Sequence, residues 1–98
     1  MSTISLPQKT IDRVNQVRKF IAMLTPSEQA VLDLAIQGES YNTIAQLLHK
    51  SPSTIGNQVQ SMINKARQVY GDNTTFKHHV IFEVMLLNFL AENFNVTL

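Results

Sequence analysis

The chain contains no cysteine, which excludes disulfides and thiolate metal sites and fits a reducing compartment. It has only 3 glycines, and they form no phosphate-cradling loop. No nucleophile stands in a recognisable local motif. Metal-ligand spacing is also missing. His78 and His79 are adjacent and diverge around a helix, His79 and Glu83 are four apart and can face one another, and spacing indicates no third ligand. A signal peptide is not indicated, because Ile4 and Leu6 are soon followed by Lys9, Asp12 and Arg13. No uninterrupted apolar run approaches the ~20 residues of a membrane span. These absences argue against an enzyme, a cofactor, a metal site and a membrane protein, and point to a cytoplasmic one.

What is present is ordinary in amount and uneven in placement. With 98 residues, 44% of them hydrophobic and 15% charged, the chain is expected to form a single domain over 1–98 with a thin core. Burial shared with a second copy would supplement it. The net charge of +1 divides sharply along the chain: residues 1–39 balance at 0, residues 40–70 carry Lys50, Lys65 and Arg67 with no acid, and residues 71–98 stand at −2. The cationic segment therefore lies in the middle, as the footprint of a nucleic-acid binder would.

Helix-start signals divide the chain. Ser5 with Gln8 has the form of a capping box, with Pro7 in the first turn. Ile11, Val14, Val17, Phe20, Ile21 and Leu24 then recur at helical spacing, predicting an amphipathic scaffold helix over 6–23. Within 24–70, Thr25, Pro26 and Glu28 open a second helix with Val31, Leu34 and Ala35 inward, and Gly38 ends it in a left-handed conformation. Ser40 caps a short third helix with Ile44, Ala45, Leu47 and Leu48 inward; His49 and Lys50 form the turn. Ser51 and Pro52 start a fourth helix over about 52–70. Two short helices feeding a longer one through a tight turn is a helix-turn-helix, whose last helix enters the major groove of DNA.

On that fourth helix Ile55, Val59, Met62, Ile63, Ala66, Val69 and Tyr70 share the packing face. Ser53, Asn57, Gln60 and Asn64 share the opposite one. Asn and Gln can pair bidentately with the N6 and N7 edge of adenine, so the outward row is chemically able to read bases. Thr54, Ser61 and Lys65 lie on one flank and Gly56 with Arg67 on the other, suiting phosphate contacts that set register. Thr74 or Thr75 can cap a last helix over 75–94. There Val80, Val84, Leu87, Ala91 and Phe94 form one apolar face and Phe82, Met85 and Phe89 a second almost opposite, with Ile81 and Leu86 at the edges. A helix apolar nearly all round needs cover on more than one side. A second copy packed across a two-fold axis, with Phe82, Met85, Leu86 and Phe89 as the dimer contact, is the expected cover.

The central stretch resembles the LuxR/GerE-type helix-turn-helix family of bacterial transcription regulators. The resemblance rests on Leu24, Thr25 and Pro26 with Glu28, then Val31, Leu32, Leu34, Gly38, Ser40, Ile44, Ala45, Leu48, Ser51, Thr54, Ile55 and Lys65. It implies an all-α fold with a tetrahelical core, to which this chain adds an N-terminal helix and a long apolar C-terminal one. It also implies a recognition helix over 51 to about 70, with Gly56, Asn57 and Gln60 toward the groove and Thr54 and Lys65 near the backbone. Four positions depart from the family pattern. Gly56 stands where the family usually has Lys or Arg, Gln58 where it has His, Thr43 where it has an acid, and Lys50 where it has an apolar residue.

The expectation is a homodimeric, sequence-specific regulator of transcription that binds double-stranded DNA. Ser53, Asn57, Gln60 and Asn64 would read bases, and Thr54, Ser61, Lys65, Arg67, Tyr41 and Lys50 would hold phosphates. The alternative is an interaction module with the same architecture that binds another regulator or RNA polymerase instead. Family members usually carry a receiver or ligand-binding domain, so control here would come from abundance, dimerisation or a protein partner.

Overall fold

Each helix of the central segment starts on a residue whose side chain takes up one of the N–H groups that a first turn leaves free. In the computed structural model, which describes residues 6–94, the helices are α1 (Gln8–Ala22), α2 (Pro26–Ile36), α3 (Tyr41–Leu48), α4 (Pro52–Tyr70) and α5 (Phe82–Phe94), with a π-helical segment, Phe76–Ile81, leading into α5. The described chain is all-α, the helix-turn-helix architecture expected from the sequence. Thr25 and Glu28 form the reciprocal capping box: the Glu28 amide donates to Thr25 Oγ1 at 3.1 Å and the Thr25 amide to Glu28 Oε1 at 2.8 Å. Ser40 accepts from the Thr43 amide at 3.2 Å, and Ser51 from the Thr54 amide at 3.1 Å.

The ends are as local as the starts. Gly38, at φ +87°, lets its own amide reach Ala35 O and that of Glu39 reach Leu34 O. These two bonds satisfy the last carbonyls of α2 and turn the chain toward α3. The tight turn after α3 uses His49 in the left-handed region, at φ 56°, and the Lys50 amide closes it on Ala45 O at 2.8 Å.

The first and last helices depart from the sequence reading. α1 begins at Gln8 with Pro7 before it and no side-chain cap. The expected cap, Ser5, lies outside the described residues. Before α5, Thr75 makes no side-chain cap; buried Thr74 instead donates its hydroxyl to Gly71 O at 2.7 Å. The Val80 amide reaches back five residues to Thr75 O, so the chain runs as a wide π-turn before tightening into α5. The side chain of Phe94, placed on an apolar face by spacing, also lies outside the described residues.

α4 is the central element and packs on α1, α2, α3 and the π-helical segment, while α5 closes on α1. Phe20, Leu32, Ile44, Ile55, Met62 and Leu87 are among the fully buried side chains. Two inward assignments change. Leu47, expected in the core, is 55% exposed, because at ~100° per residue it sits about 105° from the centre of the face shared by Ile44, Ala45 and Leu48. On α2 the fully covered positions are Glu28, Val31, Leu32 and Ala35, and Leu34 is only half-buried. Ile11, at the outer end of the α1 stripe, is 39% exposed. No helix among the described residues is long and apolar enough to cross a membrane.

Candidate nucleic-acid interface

The outward face of α4 forms because the inward one is committed. Ile55, Val59, Met62 and Ala66 recur at helical spacing and are buried, which turns Ser53, Asn57, Gln60 and Asn64 to solvent, all four exposed. Eleven residues of helix separate the first and last of them, roughly 16 Å along the axis. The Gln60 amide Nε2 donates to Asn64 Oδ1 at 3.1 Å, so part of the row is already oriented. The start of α4 carries two hydroxyls in contact, Ser51 and Thr54 at 2.9 Å. Tyr41, 44% exposed at the start of α3, and exposed Arg67 in the last turn of α4 remain on the surface, and Lys50 is half-buried in the turn.

Ser61 and Lys65, assigned to phosphate from the sequence, are drawn to the side of α4 that meets α2. Ser61 Oγ donates to Glu28 Oε2 at 2.7 Å, and Lys65 Nζ meets Glu28 Oε1 at 2.5 Å. The same carboxylate therefore caps α2 and ties it to α4. Glu28 is 4% exposed. Burial by itself pushes its carboxyl up, but hydrogen bonds from Lys65, from the Thr25 amide, from Ser61 and from the Thr25 side chain outweigh it and hold the group at about 2. Sequence reasoning saw Glu28 only as a cap. The signal for more was its place four residues before Leu32 and three before Val31, on the buried stripe, where a charge requires a partner.

The lock lowers the charge available to a ligand. Of the three cations in residues 40–70, Lys65 is neutralised by Glu28 from another helix, leaving Lys50 and Arg67. Gly56 sits on the α4 surface, and a Cβ built there meets nothing within 4 Å. Nothing in the packing requires glycine at this point. Gly56→Ala is expected to stabilise the fold by about 1 kcal/mol, the difference in helix propensity, read as a shift in the urea midpoint. No gain would mean that the surface around α4 is closer than it appears.

On α5, Val84, Leu87 and Leu90 are buried, while Phe82, Met85 and Phe89 are 56%, 49% and 55% exposed. Leu86, expected with them, is half-buried against the core. Arg13 pairs with Glu83 at 2.8 Å and joins α1 to α5. His79, four residues before Glu83, accepts from the Thr75 amide at its Nδ1, at 3.3 Å. Burial and the Glu83 charge push the nearby Tyr70 hydroxyl up to about 12, against the opposing charge of Arg13.

The family model for sigma-70, region 4 matches residues 15–68, from within α1 to within α4. No curated protein and no solved structure matches the chain. The matched span encloses the segment whose residues resemble the LuxR/GerE pattern, and what it supports is the helix-turn-helix superfamily common to both rather than LuxR/GerE in particular.

Proposed function

The chain belongs to the sigma-70 region 4 family of helix-turn-helix domains, and from that premise we propose that it is a sequence-specific, DNA-binding regulator of transcription that acts as a homodimer. The observation that carries this reading is the exposed row Ser53, Asn57, Gln60 and Asn64 on a helix tied along its flank to α2 through Glu28. Amide side chains on a rigid helix face suit the adenine edge in the major groove. Phosphate contact falls to Thr54, Tyr41, Lys50 and Arg67; we leave out Ser61 and Lys65 because Glu28 already holds them. Residues 6–94 act as one domain in this reading, since α1 and α5 cover the core that the central helices leave open. The family pattern of LuxR/GerE regulators, in which the last helix often pairs two copies, supports the homodimer, as does the exposed Phe82, Met85 and Phe89 stripe.

A second reading is favoured by the same stripe and by the small cationic footprint: the architecture binds RNA polymerase or another regulator and touches no DNA. Titration against random duplex DNA at rising salt separates the two. With Lys50 and Arg67 from each of two copies on phosphate, the logarithm of affinity should fall against the logarithm of salt with a slope of about −3 to −4. Arg67→Ala should make that slope shallower by about 1 per copy. A folded, dimeric protein that binds no duplex at low salt would leave the interaction reading in its place.

A further inference from the structure

The two amides in the second half of the outward α4 row are not equivalent. Gln60 Nε2 donates to Asn64 Oδ1 at 3.1 Å, and both side chains are exposed. An amide side chain carries one acceptor oxygen and one nitrogen with two protons. The bond uses one proton of Gln60 and engages the oxygen of Asn64. Gln60 is left with Oε1 and one Nε2 proton, an acceptor and a donor side by side. Asn64 is left with the two protons of Nδ2, which bond no other group among the described residues.

Each remainder suits a different part of DNA. Adenine presents a donor at N6 and an acceptor at N7, and Gln60 complements that pair. A free glutamine can turn its amide over, exchange oxygen and nitrogen, and so take other base edges. The bond to Asn64 holds the Gln60 nitrogen toward Asn64 and opposes that turn. Phosphate oxygens only accept, and a donor-only amide matches them. Position agrees with chemistry. α4 is 19 residues long, and the first residues of a recognition helix meet the base edges while the groove winds away from its later turns. Asn64 lies one turn beyond Gln60. Arg67, three residues farther and a neighbour of Asn64 on the helix surface, is exposed and in no ion pair among the described residues. The two side chains can share one phosphate.

We propose that Asn64 is a positioning residue and no base reader: it donates from Nδ2 to a DNA phosphate beside Arg67 and holds Gln60 in the orientation that selects adenine. The proposal rests on the DNA-binding reading above and divides the labour within its row. One hydrogen bond thereby links register on the phosphate strand to the reading of one base pair.

Selection of binding sites from random duplexes, run on the wild type and on variants, tests it. Gln60→Ala identifies the base position that Gln60 reads, as the one whose adenine preference disappears. Asn64→Ala should weaken the preference at that same position by at least about threefold and relax no other. It should also bind random duplex about threefold to tenfold more weakly, with an unchanged salt slope, because the lost phosphate contact is made on every sequence and carries no charge. Asn64→Asp keeps an acceptor for Gln60 and has no proton to donate. Its adenine preference should stay at the wild-type level while affinity falls on every duplex, further than in Asn64→Ala, since the added charge repels phosphate. Both positions are exposed, so circular dichroism should match the wild type throughout. Loss of preference at a second base position in Asn64→Ala, with random duplex bound as before, would make Asn64 a base reader and overturn the proposal. An adenine preference untouched by Asn64→Ala, or lost equally in Asn64→Asp, would overturn it too. A wild type that enriches no sequence would remove the base-reading premise itself.

Discussion

Glu28→Ala should lower the stability of the chain by about 3 kcal/mol, the lower end of the range for removing one partner of a buried ion pair. The lower end applies because Lys65 is 24% exposed and keeps some contact with water. The substitution removes the acceptor of the Thr25 amide, of Ser61 and of Lys65 at once, and leaves a half-covered cation facing a pocket with no counter-charge. Urea denaturation measures it, and a change within about 0.5 kcal/mol, typical of surface positions, would show that the carboxylate is no lock. Lys65→Met distinguishes the two roles open to that lysine. A locked Lys65 predicts lost stability and an unchanged salt slope in DNA binding, while a phosphate contact predicts the reverse, with the slope shallower by about 1 per copy. In the double variant the losses should fall short of the sum, because both changes break one contact.

The same carboxylate ties stability to pH. Its folded-state value of about 2 lies below its ordinary value of 4.5, so the stabilisation is complete above about 4.5 and is lost as the pH falls through about 2. The separation corresponds to on the order of 3 kcal/mol. Stability curves from pH 6 down to pH 2 should therefore fall in the wild type and be flatter in Glu28→Gln, which removes the titrating group.

Asn57→Ala combined with Gln60→Ala should cost about 2–6 kcal/mol at a selected DNA site, from two amides worth roughly 1–3 kcal/mol each. Random duplex should bind the double variant almost as before, since neither side chain is asked to neutralise phosphate. Fluorescence anisotropy on the two duplexes gives the comparison, and equal losses on both would contradict a base-reading role. Gln60 keeps its Oε1 and one Nε2 proton free while the other is held by Asn64 Oδ1. Asn64→Ala should therefore weaken the specific site by less than Gln60→Ala does, through loss of orientation.

Much of this architecture is legible locally. The caps at Thr25, Ser40 and Ser51, the left-handed Gly38 and the buried stripe of α4 are relations between residues three or four apart, and a sequence displays those directly. The outward row Ser53, Asn57, Gln60 and Asn64 follows from the same spacing. Leu32 and Leu47 mark the limit of that kind of reading. Several apolar residues compete for one face on each short helix, and the rotation that chooses among them is set by the neighbouring helix.

By itself, then, the sequence determined the starts of the three central helices, the polar face of α4 and the excess of apolar surface on α5, because each is written in near-neighbour spacing. Tertiary structure alone decided what the buried charge of α2 faces. Glu28 and Lys65 are 37 residues apart in the chain and meet only because α2 and α4 pack together, which gives a phosphate candidate a structural partner. That pairing is not visible until burial has brought distant segments together, since the hydrophobic effect that does so is not directional and leaves the partner of a given side chain to packing.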